Sequence, residues 1–248
     1  MSLISLDNVS FGYSRKQQVL HDVSFSLRSG VNVGLVGESG SGKSTILKLL
    51  LGLARPTGGR IQFGDAELNP RDRAFMRDYR KAVQAVFQDP YSSLDPRQKV
   101  QSIIAEPLRA LRIPGSHQEA IEKALRDVGL PADAIDRYPH EFSGGQRQRI
   151  AIARAIVARP QLILADEAVS ALDLSTRARI VDLLKALSEE MTILLVSHDL
   201  AVVAALCEEI VILEKGRVVE SGKTADILEN PKHPYTQKLL ASVPRMPA

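Results

Sequence analysis

The chain has 248 residues, 44% of them hydrophobic and 25% charged, with a formal net charge of +3. That composition is ordinary for a soluble globular protein and supplies enough core for one α/β domain with an inserted lobe, or for two small domains. Even the densest basic stretch, Arg71 to Lys81, carries Asp72 and Asp78, so no basic stripe points to nucleic acid, and the single cysteine, Cys207, rules out an internal disulfide framework.

The first seven residues show neither the basic leader nor the apolar core of a signal peptide. Residues 2–13 alternate loosely and predict a strand, and Val23 to Leu27 predicts a second. Ser29-Gly30 turns into the short apolar run Val31 to Val36, the pattern of a buried strand. After the glycine-rich stretch that follows, Ile46, Leu47, Leu49, Leu50 and Leu53 recur at helical spacing. Pro56 to Gly59 is a turn, and Arg60 to Phe63 and Val83 to Phe87 are strands. Helical periods then dominate over Val100 to Leu111, Gln118 to Val128, and from Ser143-Gly144 through Ile156. Strands return at Leu162–Ala165, Thr192–Val196, Ile210–Leu213 and Arg217–Glu220. Helices are expected over Ser175–Leu187 and Leu200–Leu206, with short helical segments at 224–230 and 234–242. Leu200 to Leu213 comes nearest to a membrane span, but Glu208 and Glu209 interrupt it well short of ~20 apolar residues. The whole predicts an α/β core over 1–88 and 160–225, a helical subdomain inserted over about 89–159, and a tail over 226–248.

Between the buried strand and the first helix lies Gly37-Glu38-Ser39-Gly40-Ser41-Gly42-Lys43-Ser44. Its glycines let the backbone take left-handed angles and approach an anion, so that successive N–H groups form a nest for phosphate oxygens. The helix starting near Lys43 adds the positive end of its dipole. Lys43 reaches the β- and γ-phosphates, and the Ser44 hydroxyl suits Mg²⁺. A second candidate follows the strand Leu162–Ala165, which ends in Asp166 and Glu167. Asp166 suits a Mg²⁺ partner, and Glu167 is placed to polarise a water. His198 ends a third core strand. Ligands of open α/β sheets gather at such carboxyl ends, so the three strand ends are expected at one crevice.

Phe142-Ser143-Gly144-Gly145-Gln146 opens a helix and makes a second anion site, a Ser N-cap followed by two glycines. With this segment the chain resembles the ATP-binding-cassette (ABC) family over nearly its whole length. The resemblance implies a P-loop NTPase fold: a RecA-like core with an antiparallel β subdomain, plus an inserted all-α signature subdomain. It implies Tyr13 as the aromatic on adenine, residues Gly37 to Thr45 as the phosphate site, and Gln88 as a sensor of Mg²⁺ and the γ-phosphate. It further implies Ser143, Gly144, Gly145 and Gln146 as the signature that closes on a partner's nucleotide, and Ser170 to Asp173 as the loop crossing the dimer interface. Asp166 becomes the metal-side carboxylate alongside Ser44 and Gln88, Glu167 the catalytic glutamate, and His198 the switch histidine. Two positions depart from the usual pattern. Phe142 stands where Leu is commoner, and Ala168 follows Glu167 where Pro is usual, which is expected to loosen that turn.

Gln88 to Arg97 and the tail Asn230 to Leu240 are similar to the corresponding segments of peptide and nickel importers, and Ala168 is similar to some nickel or metallophore importer subunits. This branch implies ATP and Mg²⁺ as ligands and a second ABC ATPase, identical or different, as partner. It implies two integral membrane permease subunits and, indirectly, an extracytoplasmic solute-binding protein. Nucleic acid is not an expected partner. The chain is expected at the cytoplasmic face of the inner membrane, bound peripherally. The alternatives are a soluble ABC ATPase of translation or DNA repair, or an exporter ATPase. The first carries two cassettes or a long coiled-coil insert, and neither is present in this sequence. A metabolic P-loop kinase would not need Ser143 to Gln146.

Overall fold

The computed structural model describes residues 2–14, 17–170 and 172–241. Ala171, in the expected dimer-crossing loop, and the last seven residues of the tail lie outside them.

The chain opens with β1 (Ser2–Ser14) and β2 (Gln17–Arg28), then β3 (Val33–Val36) and α1 (Lys43–Leu50). β2 starts six residues before the expected strand. Gln17 and Gln18 lack strand character, yet they pair with Ser14 and Gly12 across bulges. Ladder hydrogen bonds there override local propensity. β4 (Gly58–Phe63) and β5 (Ala66–Glu67) follow, then α2 (Arg73–Ala82). Within the basic stretch of mixed charge, α2 buries Met76 and Tyr79, and the Asp72 carboxylate accepts the Ala74 and Phe75 N–H groups at its start.

β6 (Val83–Val86) leads into α3 (Pro90–Ser93), α4 (Val100–Ile104), α5 (Glu106–Ala110) and α6 (His117–Asp127). The single helix expected over Val100–Leu111 is two, because Pro107 has no N–H to give Ile103. Next come α7 (Gly144–Ile156), β7 (Leu162–Asp166), α8 (Leu174–Leu187), β8 (Thr192–Ser197), α9 (Leu200–Leu206), β9 (Glu209–Glu214) and β10 (Arg217–Lys223). α10 (Thr224–Glu229) and α11 (Pro234–Ala241) complete the described chain.

Contacts divide these elements into two compact units, Met1–Met76 with Thr192–Ala248, and Arg77–Met191. The first unit holds an antiparallel sheet in the order β2-β1-β4-β5. It also holds β3 flanked by β8 and β9, all three parallel, with β10 antiparallel on β9. β3 and β8 are buried at every residue, which explains their unbroken apolar runs. The second unit carries the parallel pair β6–β7 and the helices α3 to α8. Parallel strands alternating with helices, together with a separate antiparallel sheet, give the chain its α/β character.

Asn32 ties the lower ends of the first unit's central strands. Its amide donates to the Leu206 carbonyl at 3.2 Å and accepts the Ile193 N–H at 2.9 Å. Its own N–H donates to the Glu208 carboxylate at 2.7 Å. Asn32 is buried, so its own side-chain amide and backbone N–H would otherwise be unpaired away from water.

Candidate functional site

In the first unit, register decides which residues meet. Val36 stands opposite Ser197 in the parallel β3–β8 pair. Gly37 and His198 therefore leave neighbouring strands at the same edge, as expected from the sequence. Gly40 and Gly42 take φ of 80° and 113°, angles closed to most L-residues. Gly42 is the residue from which α1 springs, and its carbonyl accepts the Thr45 and Ile46 N–H groups. The loop thus leads directly into the N-terminus of α1, the positive end of the helix dipole.

The Lys43 ammonium is buried against the loop it belongs to. It donates to the Gly37 carbonyl at 2.6 Å and to the Glu38 carbonyl at 2.9 Å. A positive charge therefore sits at the centre of the nest. Ser44, one residue on, is exposed in the first turn of α1. The Ser41 hydroxyl is buried with no partner among the described residues, one more donor for an anion oxygen. The loop is backed by the β9–β10 hairpin: Gly216 donates its N–H to the Ser41 carbonyl at 2.8 Å and accepts the His21 N–H at 2.8 Å.

Tyr13, next to last in β1, has 56% of its surface exposed. Its ring packs edge-on against Phe11 at 5.1 Å, and the Lys48 ammonium lies 5.7 Å from its centre. A hydrogen bond from the Thr45 side chain and then one from Lys48 hold its hydroxyl below the usual tyrosine range. The structure thus brings Tyr13 beside the first turns of α1, with a broad ring face open to solvent.

In the second unit, Val86 stands opposite Ala165 in the parallel β6–β7 pair, so Gln88 and the Asp166-Glu167 pair follow neighbouring strand ends. The Gln88 amide donates to the Ser170 hydroxyl at 3.1 Å, which in turn donates to the Glu167 carbonyl at 3.0 Å. The Ser170 N–H donates to the same carbonyl at 3.0 Å. Glu167 adopts φ of 45°, an uncommon angle for a residue with a side chain. The turn after Glu167 is therefore closed by two hydrogen bonds from Ser170. Ala168, the residue after Glu167, is buried within this turn.

Ser143 caps α7 as a capping box: its hydroxyl accepts the Gln146 N–H at 3.4 Å, and the Gln146 side-chain oxygen accepts the Ser143 N–H at 3.0 Å. Gly145 lies against Thr176 of α8, where a Cβ would collide with the threonine methyl. Asp173 caps α8. It accepts the Thr176 N–H and the Ser175 hydroxyl, and these bonds lower its pKa to about 2. Phe142 is buried and lies under the Arg137 guanidinium at 4.3 Å, so a bulkier apolar residue than Leu is accommodated there.

Two partners of the site have no signature in residue spacing. One is Ser170 as the link between Gln88 and Glu167. The other is Tyr235, whose hydroxyl accepts the Glu38 N–H at 2.9 Å.

A glycine-rich loop joining a buried parallel strand to a helix, together with a capped Ser-Gly-Gly-Gln helix start, defines an ATP-binding cassette of the P-loop NTPase class. The chain belongs to the ABC transporter family: residues 20–170 match the family model of that description, and residues 219–248 match the C-terminal region of oligopeptide/dipeptide transporters. A peptide import ATP-binding protein of Brucella ovis is 47% identical over 232 residues, covering 92% of this chain and 73% of that one. The dipeptide transport ATP-binding protein DppF of Escherichia coli is 44% identical over 241 residues, covering 95% and 72%. Among solved structures, cbiO1 of Clostridium perfringens, part of the ABC transporter complex cbiONQ, superposes with a TM-score of 0.83 at 25% identity, covering 92% of this chain and 91% of that one. The cassette MJ0796, solved as a dimer in a post-hydrolysis state bound to ADP and Pi, gives 0.78 at 30% identity, covering 89% and 98%. The chain is accordingly an ATP-binding subunit with ATPase activity coupled to transport. No helix among the described residues is long and apolar enough to cross a membrane.

Proposed function

We propose that this chain powers the import of di- and oligopeptides across the cytoplasmic membrane by hydrolysing MgATP at its cytoplasmic face. One observation carries the reading: a phosphate nest centred on Lys43 shares a chain with the C-terminal region of oligopeptide/dipeptide transporters, and relatives of 44–47% identity are named for peptide and dipeptide import. A further relative, at 46% identity, is named for import of glutathione, itself a short peptide, although this chain spans only 38% of it.

In this reading Gly37 to Thr45 hold the phosphates and Tyr13 stacks on adenine. Ser44, Gln88 and Asp166 hold Mg²⁺. Their donors are all hard oxygens, which fits that ion. When bound there, Mg²⁺ would supply positive charge to offset that of the phosphates. Glu167 orients and polarises the attacking water, and His198 holds the γ-phosphate. Ser143, Gly144, Gly145 and Gln146 serve the nucleotide of a second ATPase subunit, with Asp173 in the loop along that interface. Two such subunits, the same or different, drive two permease subunits fed by an extracytoplasmic binding protein.

The test is uptake by the assembled transporter in vesicles, with a labelled dipeptide, Ni²⁺ and a Ni²⁺ chelate offered separately. ATP-dependent dipeptide uptake that disappears in Lys43→Ala is expected. Uptake of nickel alone would instead favour the metal branch suggested by Ala168. Dipeptide uptake that survives Lys43→Ala would remove this chain as the motor.

A further inference from the structure

We propose that the C-terminal segment is part of the nucleotide site, with Tyr235 acting as a positioning residue that fixes the phosphate loop through the Glu38 N–H. The inference rests on the reading that Gly37 to Ser44 receives the phosphates of ATP.

The segment is fastened before it reaches the loop. The Glu220 carboxylate on β10 accepts the Lys232 N–H at 2.9 Å and the His233 N–H at 3.1 Å, one on each oxygen. His233 Nδ1 then accepts the Tyr235 N–H at 3.2 Å. Pro234 begins α11, where its fixed φ suits the first helical turn and its missing N–H is not needed. Tyr235 is therefore held by its own backbone, and its ring is buried. Burial raises the hydroxyl above its ordinary range, so it stays neutral and offers a lone pair.

That hydroxyl meets the second residue of the phosphate loop. Glu38 is restrained at each of its groups. Its N–H goes to Tyr235, and its carbonyl accepts from Lys43 at 2.9 Å and from the Ser41 N–H at 3.2 Å. Its carboxylate lies 3.9 Å from the Lys238 ammonium of α11, an exposed pair that adds little by itself. The Tyr235 bond commits one N–H of the loop's entry to the protein and sets the direction of the peptide that follows. The remaining N–H groups, and the carbonyls that steer Lys43, are thereby ordered before nucleotide arrives. Ordering in advance strengthens binding by removing a cost otherwise met on association. It does not touch the water or the γ-phosphate, so the hydrolytic step should be indifferent to it.

Tyr235→Phe keeps the ring and removes the acceptor. The experiment measures ATP and ADP binding to the full chain with a fluorescent nucleotide, melting of the nucleotide-free chain, and steady-state hydrolysis by the assembled transporter. Loss of one hydrogen bond predicts Kd and KM raised about three- to tenfold, with kcat within about twofold and the melting temperature lowered by no more than a few degrees. Glu220→Ala, which unfastens the segment upstream, is expected to raise KM in the same direction. Unaltered affinity in Tyr235→Phe would overturn the proposal. So would a lower melting temperature and lower kcat at unchanged KM, the pattern of a purely structural tail. If the wild-type chain itself bound no nucleotide, the assignment of the phosphate loop would fall first, a result distinguishable from failure of the Tyr235 variant alone.

Discussion

Asp173 sits in a loop expected to face a partner subunit, yet the contacts that its carboxylate makes are local. Its carboxylate accepts the Thr176 N–H and the Ser175 hydroxyl at the start of α8, and its pKa falls to about 2. A depressed carboxylate stabilises the fold fully above its unfolded pKa of ~3.9, and this contribution is lost as pH falls through the folded value. Thermal melts of wild type and Asp173→Asn should therefore differ by a constant amount from neutral pH down to about pH 5 and converge between about pH 4 and pH 2. A gap that persisted at the acid end would mean the cap does not depend on the charge. The role of such a residue can be read from sequence, because a cap and the N–H groups it serves lie within four residues of each other. Tyr235 could not be read in that way. Its partner Glu38 lies at the far end of the chain, and only folding brings the two together.

At the scale of elements, β3 presents its ends to two different tasks. The upper end feeds the phosphate loop. The lower end follows Asn32, whose side chain pairs the Leu206 carbonyl at the end of α9 and the Ile193 N–H of β8. Asn32→Ala would leave two buried backbone groups without partners, at a cost of about 3 kcal/mol. Urea unfolding should show that loss. Nucleotide affinity of the folded variant should be unchanged, because the loop lies at the other end of the strand. Affinity lost in proportion to stability would show that the two ends are coupled. The buried strands were legible because continuous apolar runs require burial on both faces. The start of β2 and the break at Pro107 were less so: the first depends on a partner strand, and the second was masked by apolar spacing on both sides of the proline.

At the scale of the whole molecule, the chain carries one phosphate loop and one Ser-Gly-Gly-Gln helix start. If the second serves another subunit's nucleotide, hydrolysis belongs to a pair. Glu167→Gln keeps the shape of the side chain but removes the carboxylate proposed as the base. ATP binding should be retained while hydrolysis falls about 10²- to 10⁴-fold, the range of general-base catalysis. ATP should then hold the variant as a stable dimer, with itself or with a second ATPase subunit, on size-exclusion chromatography. Turnover at the wild-type rate would take the base assignment away from Glu167.

By itself the sequence determined the phosphate loop, the capped helix start and the alternation of buried strands with helices, because each depends on neighbours within a few residues. It also determined the family, since the order of these motifs is written along the chain. Tertiary structure decided which strand ends stand side by side, how Ser170 joins Gln88 to Glu167, and that the tail reaches the loop through Tyr235. The physical reason is the same in each case. Hydrogen bonds act over about 3 Å, and residues far apart in sequence come within that distance only after strand register and burial have placed them.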